Sequence, residues 1–283
     1  MIDDRISALF LFPDHFSGHA SDYARHRPDY PESLFDFLAA ASPARRLAWD
    51  CATGSGQAAM PLAARFDHVI ATDASEKQIA EGGPDPRIDY RVAPAEESSV
   101  ADRSVDLITV AQALHWFDRH RFWKEAERVL VPRGVIAVWA YDLPSVSGPV
   151  DPVVRRLARE VVGPWWPAER RIVDEGYGRL EFPFEELPAP AFRMQKSWTL
   201  ADLLGYLRTW SATRRYLAAQ GEDAVSLVER ELSAAWGDSQ TPRSLTWPID
   251  LRVGRMPHAR ETLPPLSAPG EDPVEVSFRR GRR

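Results

Sequence analysis

The stretch Asp50-Cys51-Ala52-Thr53-Gly54-Ser55-Gly56-Gln57 follows a short apolar run and precedes a helical pattern. A glycine-rich turn from strand to helix lets backbone N–H groups come close to a ligand. A dinucleotide site asks for G-x-G-x-x-G, so that a pyrophosphate presses on the helix start. Laid on Ala52, Gly54 and Gln57, that pattern keeps only the middle glycine. Asp73 ends the next β-rich run, and a carboxylate there can accept hydrogen bonds from both hydroxyls of a ribose. Pro94-Ala95-Glu96-Glu97 follows the third run, and Gln112-Ala113-Leu114-His115-Trp116-Phe117-Asp118 closes the fourth. Strand ends along one edge of a parallel sheet are where ligands collect. These residues suit the holding of a nucleoside, with His115, whose pKa is ordinarily near ~6.5, placed to serve as a base.

The same turn also matches D/E-x-G-x-G-x-G, as Asp50, Ala52, Gly54 and Gly56, with alanine in place of the first glycine. In this the chain resembles class I S-adenosylmethionine-dependent methyltransferases, whose cofactor has no phosphates and needs a turn that admits an amino-acid tail and a ribose. The resemblance implies that Asp50 organises contacts to the ammonium end of S-adenosylmethionine and that Asp73, with Ala74, holds the ribose. It implies that Ala95 and Glu96 read the adenine edge and that Gln57 and Gln112 complete the cofactor site. Enzymes that methylate exocyclic amines of bases often carry Asn/Asp-Pro-Pro-Tyr after the fourth strand. Ala113-Leu114-His115-Trp116-Phe117 instead resembles a small-molecule subgroup that includes the trans-aconitate methyltransferases, which esterify carboxylates. Phe16-Ser17, Tyr23, Arg27-Pro28 and Tyr30-Pro31 are similar to that subgroup's opening, which implies an N-terminal lid in which Tyr23 and Arg27 meet the cofactor.

Methyl transfer from a sulfonium is an in-line displacement, so alignment is the main task of the protein. A carboxylate acceptor is already ionised and needs no base; a hydroxyl acceptor gains from one, and His115 is the candidate. Tyr30, His115, Trp116, Tyr206 and Trp210 are expected to shape the acceptor pocket, with Tyr206, Trp210 and Arg214 spaced along one face of a lid helix. The expected activity is methylation of an oxygen, carboxylate or hydroxyl, on a small organic molecule. A nicotinamide (NAD(P))-dependent oxidoreductase stays open, since it shares the sheet and Asp73, as does a non-catalytic relative that keeps the cofactor pocket. His15 and His19 have no carboxylate placed to complete a metal site, and no metal is expected. Neither a G-x-S-x-G elbow nor a Walker loop is present.

These residues need a frame. Runs at 46–50, 68–73, 88–92, 105–112 and 135–140 read as strands separated by helices at 31–41, 57–65, 74–79 and 119–130. That alternation implies a parallel, doubly wound sheet with right-handed crossovers. Alternating apolar residues at 192–198 and 245–253 add two more strands, interrupted by helices at 199–209, 211–219 and 222–236. Two further helices are expected around Gly163-Pro164, and 176–190 reads as a Gly/Pro/acid-rich loop. The expected fold is therefore α/β, a Rossmann-like seven-stranded mostly parallel sheet with helical cap insertions. Its parts are an N-terminal lid (1–45), a cofactor-binding core (46–141), cap helices with the last two strands (142–254) and a Pro/Arg-rich tail (255–283).

Of the 283 residues, 44% are hydrophobic, which excludes wholesale disorder. The net charge of −6 argues against a dedicated nucleic-acid binder. Its single cysteine excludes an internal disulfide and fits a reducing cytoplasm. No apolar run reaches the ~18 residues of a membrane span. Oligomeric state cannot be read from these features.

Overall fold

The computed structural model describes residues 28–146 and 148–257. Five parallel strands, β1 (Leu47–Cys51), β2 (His68–Asp73), β3 (Ile88–Val92), β4 (Val105–Ala111) and β5 (Leu130–Tyr141), lie in the order β3-β2-β1-β4-β5. The sheet continues with β8 (Arg243–Arg255), antiparallel to β5 from Tyr141↔Ile249 to Val135↔Arg255. The far edge of β8 is shared by β6 (Glu185–Leu187) and β7 (Phe192–Trp198), both antiparallel to it. The eight strands thus fill seven positions, the Rossmann-like architecture expected.

Both faces of this sheet are buried, and the alternation of a strand sorts its side chains between them. From β5, Val135, Ala137, Trp139 and Tyr141 join one core, while Ile136, Val138 and Ala140 join the other. The first core takes Leu34, Phe35 and Leu38 from α1 (Glu32–Ala41) and Leu62 from α2 (Ala59–Ala63). The second takes Phe122, Trp123 and Ala126 from α4 (Arg119–Val129). Between them in sequence, α3 (Glu76–Ala80) starts at Ser75, whose hydroxyl accepts from the Gln78 amide. Every loop at the carboxyl ends of β1 to β4 therefore opens on one edge of the sheet.

The cap consists of α5 (Val150–Arg156), which runs on into a π-helical turn at Leu157–Val161, then α6 (Arg170–Asp174). After β7 come α7 (Leu200–Arg208), α8 (Ser211–Gln220) and α9 (Ser226–Trp236). A capping box starts α7, with Thr199 and Asp202 bonding each other's backbone amides.

Several boundaries differ from expectation, each for a local reason. Val131-Pro132-Arg133-Gly134 reads as a stop before a strand, yet β5 begins at Leu130 and absorbs it through a register shift opposite Val105 and Leu107, with Arg133 at φ +65°. Glu185–Leu187 falls in the stretch read as a loop; it is a strand because β8 is long enough to pair with it. Helix α9 starts at Ser226 and not at 222, because Asp223 turns the chain and accepts from the Val225 amide. The N-terminal segment 1–27 and the tail from 258 onward lie outside the described residues. Among the described residues no helix is long and apolar enough to cross a membrane.

Candidate active site

The turn after β1 is fixed by two aspartates with different tasks. Asp50 is buried, its two carboxylate oxygens accepting from the Thr53 hydroxyl (2.5 Å) and the Thr109 hydroxyl of β4 (2.7 Å). Burial pushes its pKa up to about 6, against the pull of the two threonines. Asp50 thus ties the turn to the neighbouring strand and does not line the cavity, so its expected contact with an ammonium group has no open carboxylate behind it. Asp73, at the end of β2, accepts from the Gly54 amide on one oxygen and the Ser75 amide on the other, both at 2.9 Å. Each carboxylate oxygen carries two lone pairs, so one acceptor position on each remains for a ligand. Burial raises the Asp73 pKa, and the two amides oppose that rise.

The backbone of the turn is left-handed at Ala52 (φ +55°), Gly54 (φ +58°) and Gly56 (φ +88°). Ala52 occupies the place where the family pattern carries glycine and adopts the conformation that makes glycine favourable. At Gly56 an added Cβ would overlap the Tyr90 hydroxyl. Gly56 shapes the turn and does not line the cavity.

These strand ends enclose a cavity of about 210 Å³. Its floor is Ala52, Thr53 and Gly54 after β1, and Asp73 and Ala74 after β2. Ala95 and Glu96 line it from the loop after β3, and Ala111, Gln112 and Ala113 from the end of β4. Tyr30, Trp116 and Tyr141 supply aromatic walls. The loop after β3 is held from α4 by Glu125, which accepts from the Ser98 amide (2.8 Å) and hydroxyl (2.6 Å) and pairs with Arg128. Burial works against ionising Glu125, but Arg128 and Ser98 hold its carboxyl below the usual range. Glu96 also accepts from the Asp118 amide at 2.8 Å, which binds the loop to the start of α4.

The structure places other expected residues differently. Gln57 lines the cavity, but its side-chain amide is turned to the Pro28 carbonyl (2.7 Å). Gln112, at φ +56°, donates from its side chain to the Tyr141 carbonyl (2.8 Å). The His115 side chain is withdrawn from the cavity: its Nδ1 shares a 2.8 Å hydrogen bond with the Tyr177 hydroxyl, and Trp116 lies against the ring at 4.9 Å. Burial, helped by the charge of Arg170, pushes its pKa down to about 3. Tyr206 and Trp210 are core residues. Tyr206 accepts from the Trp247 indole (3.2 Å), and Trp210 packs on Trp166 at 5.6 Å. The single lid helix expected to carry both is broken after Arg208, so Tyr206, Trp210 and Arg214 do not share one helix face. Tyr23 and Arg27 lie outside the described residues, as do His15 and His19.

Several cavity residues were not among the expected site residues, Tyr141, Gln78 and Phe117 among them. Tyr141 is the last residue of β5 and was discoverable from the strand-end rule alone. Gln78 is a buried polar residue on α3, and its Oε1 would meet a Cβ at Gly54 at 3.6 Å. Phe117 follows Trp116 into the cavity wall. Among the described residues, no group of three or more His, Cys, Asp or Glu is placed to hold a metal.

A nucleoside with an amino-acid tail fits these residues: two free acceptor positions on Asp73, small side chains at Ala52, Ala74 and Ala95, and aromatic walls. The third glycine of a dinucleotide turn is here the long Gln57, tied across to Pro28. Fold and site together define an α/β protein that binds a nucleoside cofactor without phosphates at the carboxyl edge of its sheet. The methyltransferase-domain family matches residues 49–138, from β1 through most of β5. A protein of Dictyostelium discoideum named as a methyltransferase is 32% identical over 237 residues, covering 81% of this chain and 90% of its own. A solved structure presented as a type II methyltransferase from Anaeromyxobacter dehalogenans superposes with a TM-score of 0.77 at 44% identity, over 82% of this chain and 99% of that one. A methyltransferase of Mycobacterium tuberculosis is 35% identical over 154 residues, 50% of this chain and 63% of the relative. The chain belongs to the class I S-adenosylmethionine-dependent methyltransferases, and S-adenosylmethionine is its cofactor.

Proposed function

We propose that the chain methylates an oxygen of a small organic acceptor, a carboxylate before a hydroxyl, as the resemblance to the trans-aconitate methyltransferases implies. One observation carries this reading. Among the described residues, the titratable side chains that line the cavity are Asp73, Glu96, Tyr30 and Tyr141, and the imidazole of His115, on the turn that carries Trp116, is buried against Tyr177. Asp73 is committed to the ribose and Glu96 to the loop that faces the adenine. A pKa near 3 leaves His115 a poor proton acceptor at neutral pH. Such a cavity suits a nucleophile that arrives already ionised.

Bound S-adenosylmethionine supplies an activated methyl carbon, whose transfer breaks a carbon–sulfur bond, forms a carbon–oxygen bond, and converts sulfonium and carboxylate into a neutral thioether and a neutral ester with no proton to move. What the protein contributes is position. The Asp50–Thr53–Thr109 tie sets the turn, Asp73 anchors the sugar, and Tyr30, Trp116 and Tyr141 exclude water from the reacting centre. Proximity of this kind supplies up to ~7–11 kcal/mol.

Labelled S-adenosylmethionine offered with a panel of carboxylic acids and alcohols tests the reading. Methyl esters that release methanol in mild base are expected. Label held in a base-stable product on nitrogen or carbon would refute it. His115→Gln, a substitution at a position that does not line the cavity, is expected to keep kcat within about threefold, whereas loss of a general base costs roughly 100-fold or more.

A further inference from the structure

A second cavity, of about 470 Å³, lies in the cap. Successive residues link it to the first. Tyr141 lines one and the next residue, Asp142, lines the other, while α6 packs on the turn Leu114–Trp116 that carries Trp116 into the first. Its walls come from Asp142 and Leu143 after β5, Ala158 and Arg159 of the π-helical turn, Trp166, and Arg170 of α6.

Local structure here is unusual and directed at the cavity. The amide of Val162 bonds back to the Leu157 carbonyl, which widens the helix where Ala158 and Arg159 face the space. Such π turns are frequent at functional sites. The Trp166 indole is fixed by its N–H to the Ala158 carbonyl (2.8 Å) and by the Arg170 guanidinium stacked at 4.7 Å. Arg170 is in turn held by Asp142 and Asp174.

The charges do not cancel. Asp142 and Asp174 also line this space and are spent on Arg170, while Arg171 reaches Glu175 at 3.4 Å. Arg159 is exposed and, among the described residues, has no hydrogen bond or ion pair. An unpaired guanidinium beside a fixed indole matches a planar group that carries negative charge, since guanidinium pairs with carboxylates through two parallel N–H donors.

We propose that this second cavity is the acceptor chamber, and that Arg159 pairs with an anionic group of a planar acceptor lying along Trp166, a group separate from the oxygen that receives the methyl. The assignment rests on the methyl-transfer reading, which makes the neighbouring cavity the donor site. Arg159 and Trp166 then set specificity without touching the cofactor.

The test titrates 2-naphthoate and the neutral 2-naphthamide into protein saturated with S-adenosylhomocysteine, followed by calorimetry. Naphthoate is expected to bind about tenfold or more tightly than naphthamide, the worth of one charge-assisted hydrogen bond. Arg159→Gln should abolish that preference and Arg159→Lys restore part of it, with S-adenosylhomocysteine affinity equal in all three proteins. Equal binding of the two probes, binding of neither, or a preference that survives Arg159→Gln would overturn the proposal. Failure of the carboxylate reading shows independently, as a methylated product that survives base.

Discussion

At the scale of single residues, His115 shows how packing decides chemistry. Its ring is neutral when folded, with a pKa near 3 against an ordinary 6.5. A depressed histidine contributes stability that is complete above pH ~6.5 and is lost as the pH falls toward 3. Asp50 works in the opposite sense: its pKa is raised to about 6, so its contribution is present at low pH and is lost as the pH rises through 6. Subtracting the stability–pH curve of His115→Gln from that of the parent isolates the imidazole. Parent minus variant should fall by on the order of 4 kcal/mol as the pH drops from about 6.5 to 3; a flat difference would mean the ring is solvated. Ala52 gives a second residue-scale prediction. At φ +55° it tolerates glycine within about 1 kcal/mol, whereas a β-branched side chain is strongly disfavoured there. Ala52→Val should cost roughly 2 kcal/mol in denaturant unfolding and weaken cofactor binding, and Ala52→Gly should do neither.

At the scale of elements, the loop after β3 depends on α4. Glu125 is a buried carboxylate that gathers Ser98, two residues past Glu96 in the same loop, and Arg128. Glu125→Ala leaves the Ser98 amide and hydroxyl without their acceptor, so a loss of about 3 kcal/mol is expected in thermal or denaturant unfolding. Cofactor affinity should fall with it; a variant as stable as the parent would show the tie to be idle. The elements themselves differ in how far the sequence announces them. β1 to β5 and the turn at 52–56 were legible because apolar runs and glycines are local signals. The boundary between α7 and α8 was legible to within a residue or two, at 209–211, but the contacts that make it were not. Thr209 and Thr213 bond the Tyr206 and Trp210 carbonyls through their hydroxyls, a local competition that ends one helix and starts the next inside an otherwise continuous helical pattern. Glu185–Leu187 has no strand pattern at all and exists only by docking on β8.

At the scale of the whole molecule, the sheet brings residues far apart in sequence to one edge, and there sequence reading reaches its limit. The glycine turn, Asp73 and the Ala95-Glu96 pair could be ordered along the chain because each follows its own strand. The pairing of His115 with Tyr177 could not, since Tyr177 arrives from the cap. The same holds for the acceptor chamber, built from a π turn and a stacked Trp166–Arg170 pair that no periodicity foretells. The proposed chemistry rests on one proposed contact: a ribose held by Asp73 beside the turn after β1. Calorimetric titration of S-adenosylhomocysteine into the parent and into Asp73→Asn, which keeps the side-chain shape and removes the charge, addresses it most directly. The account predicts saturable binding by the parent and an affinity about tenfold or more lower in the variant, with some loss of thermal stability because one of the Gly54 and Ser75 amides loses its acceptor. Absence of binding to the parent at millimolar ligand, or equal affinity in the two proteins, would contradict it.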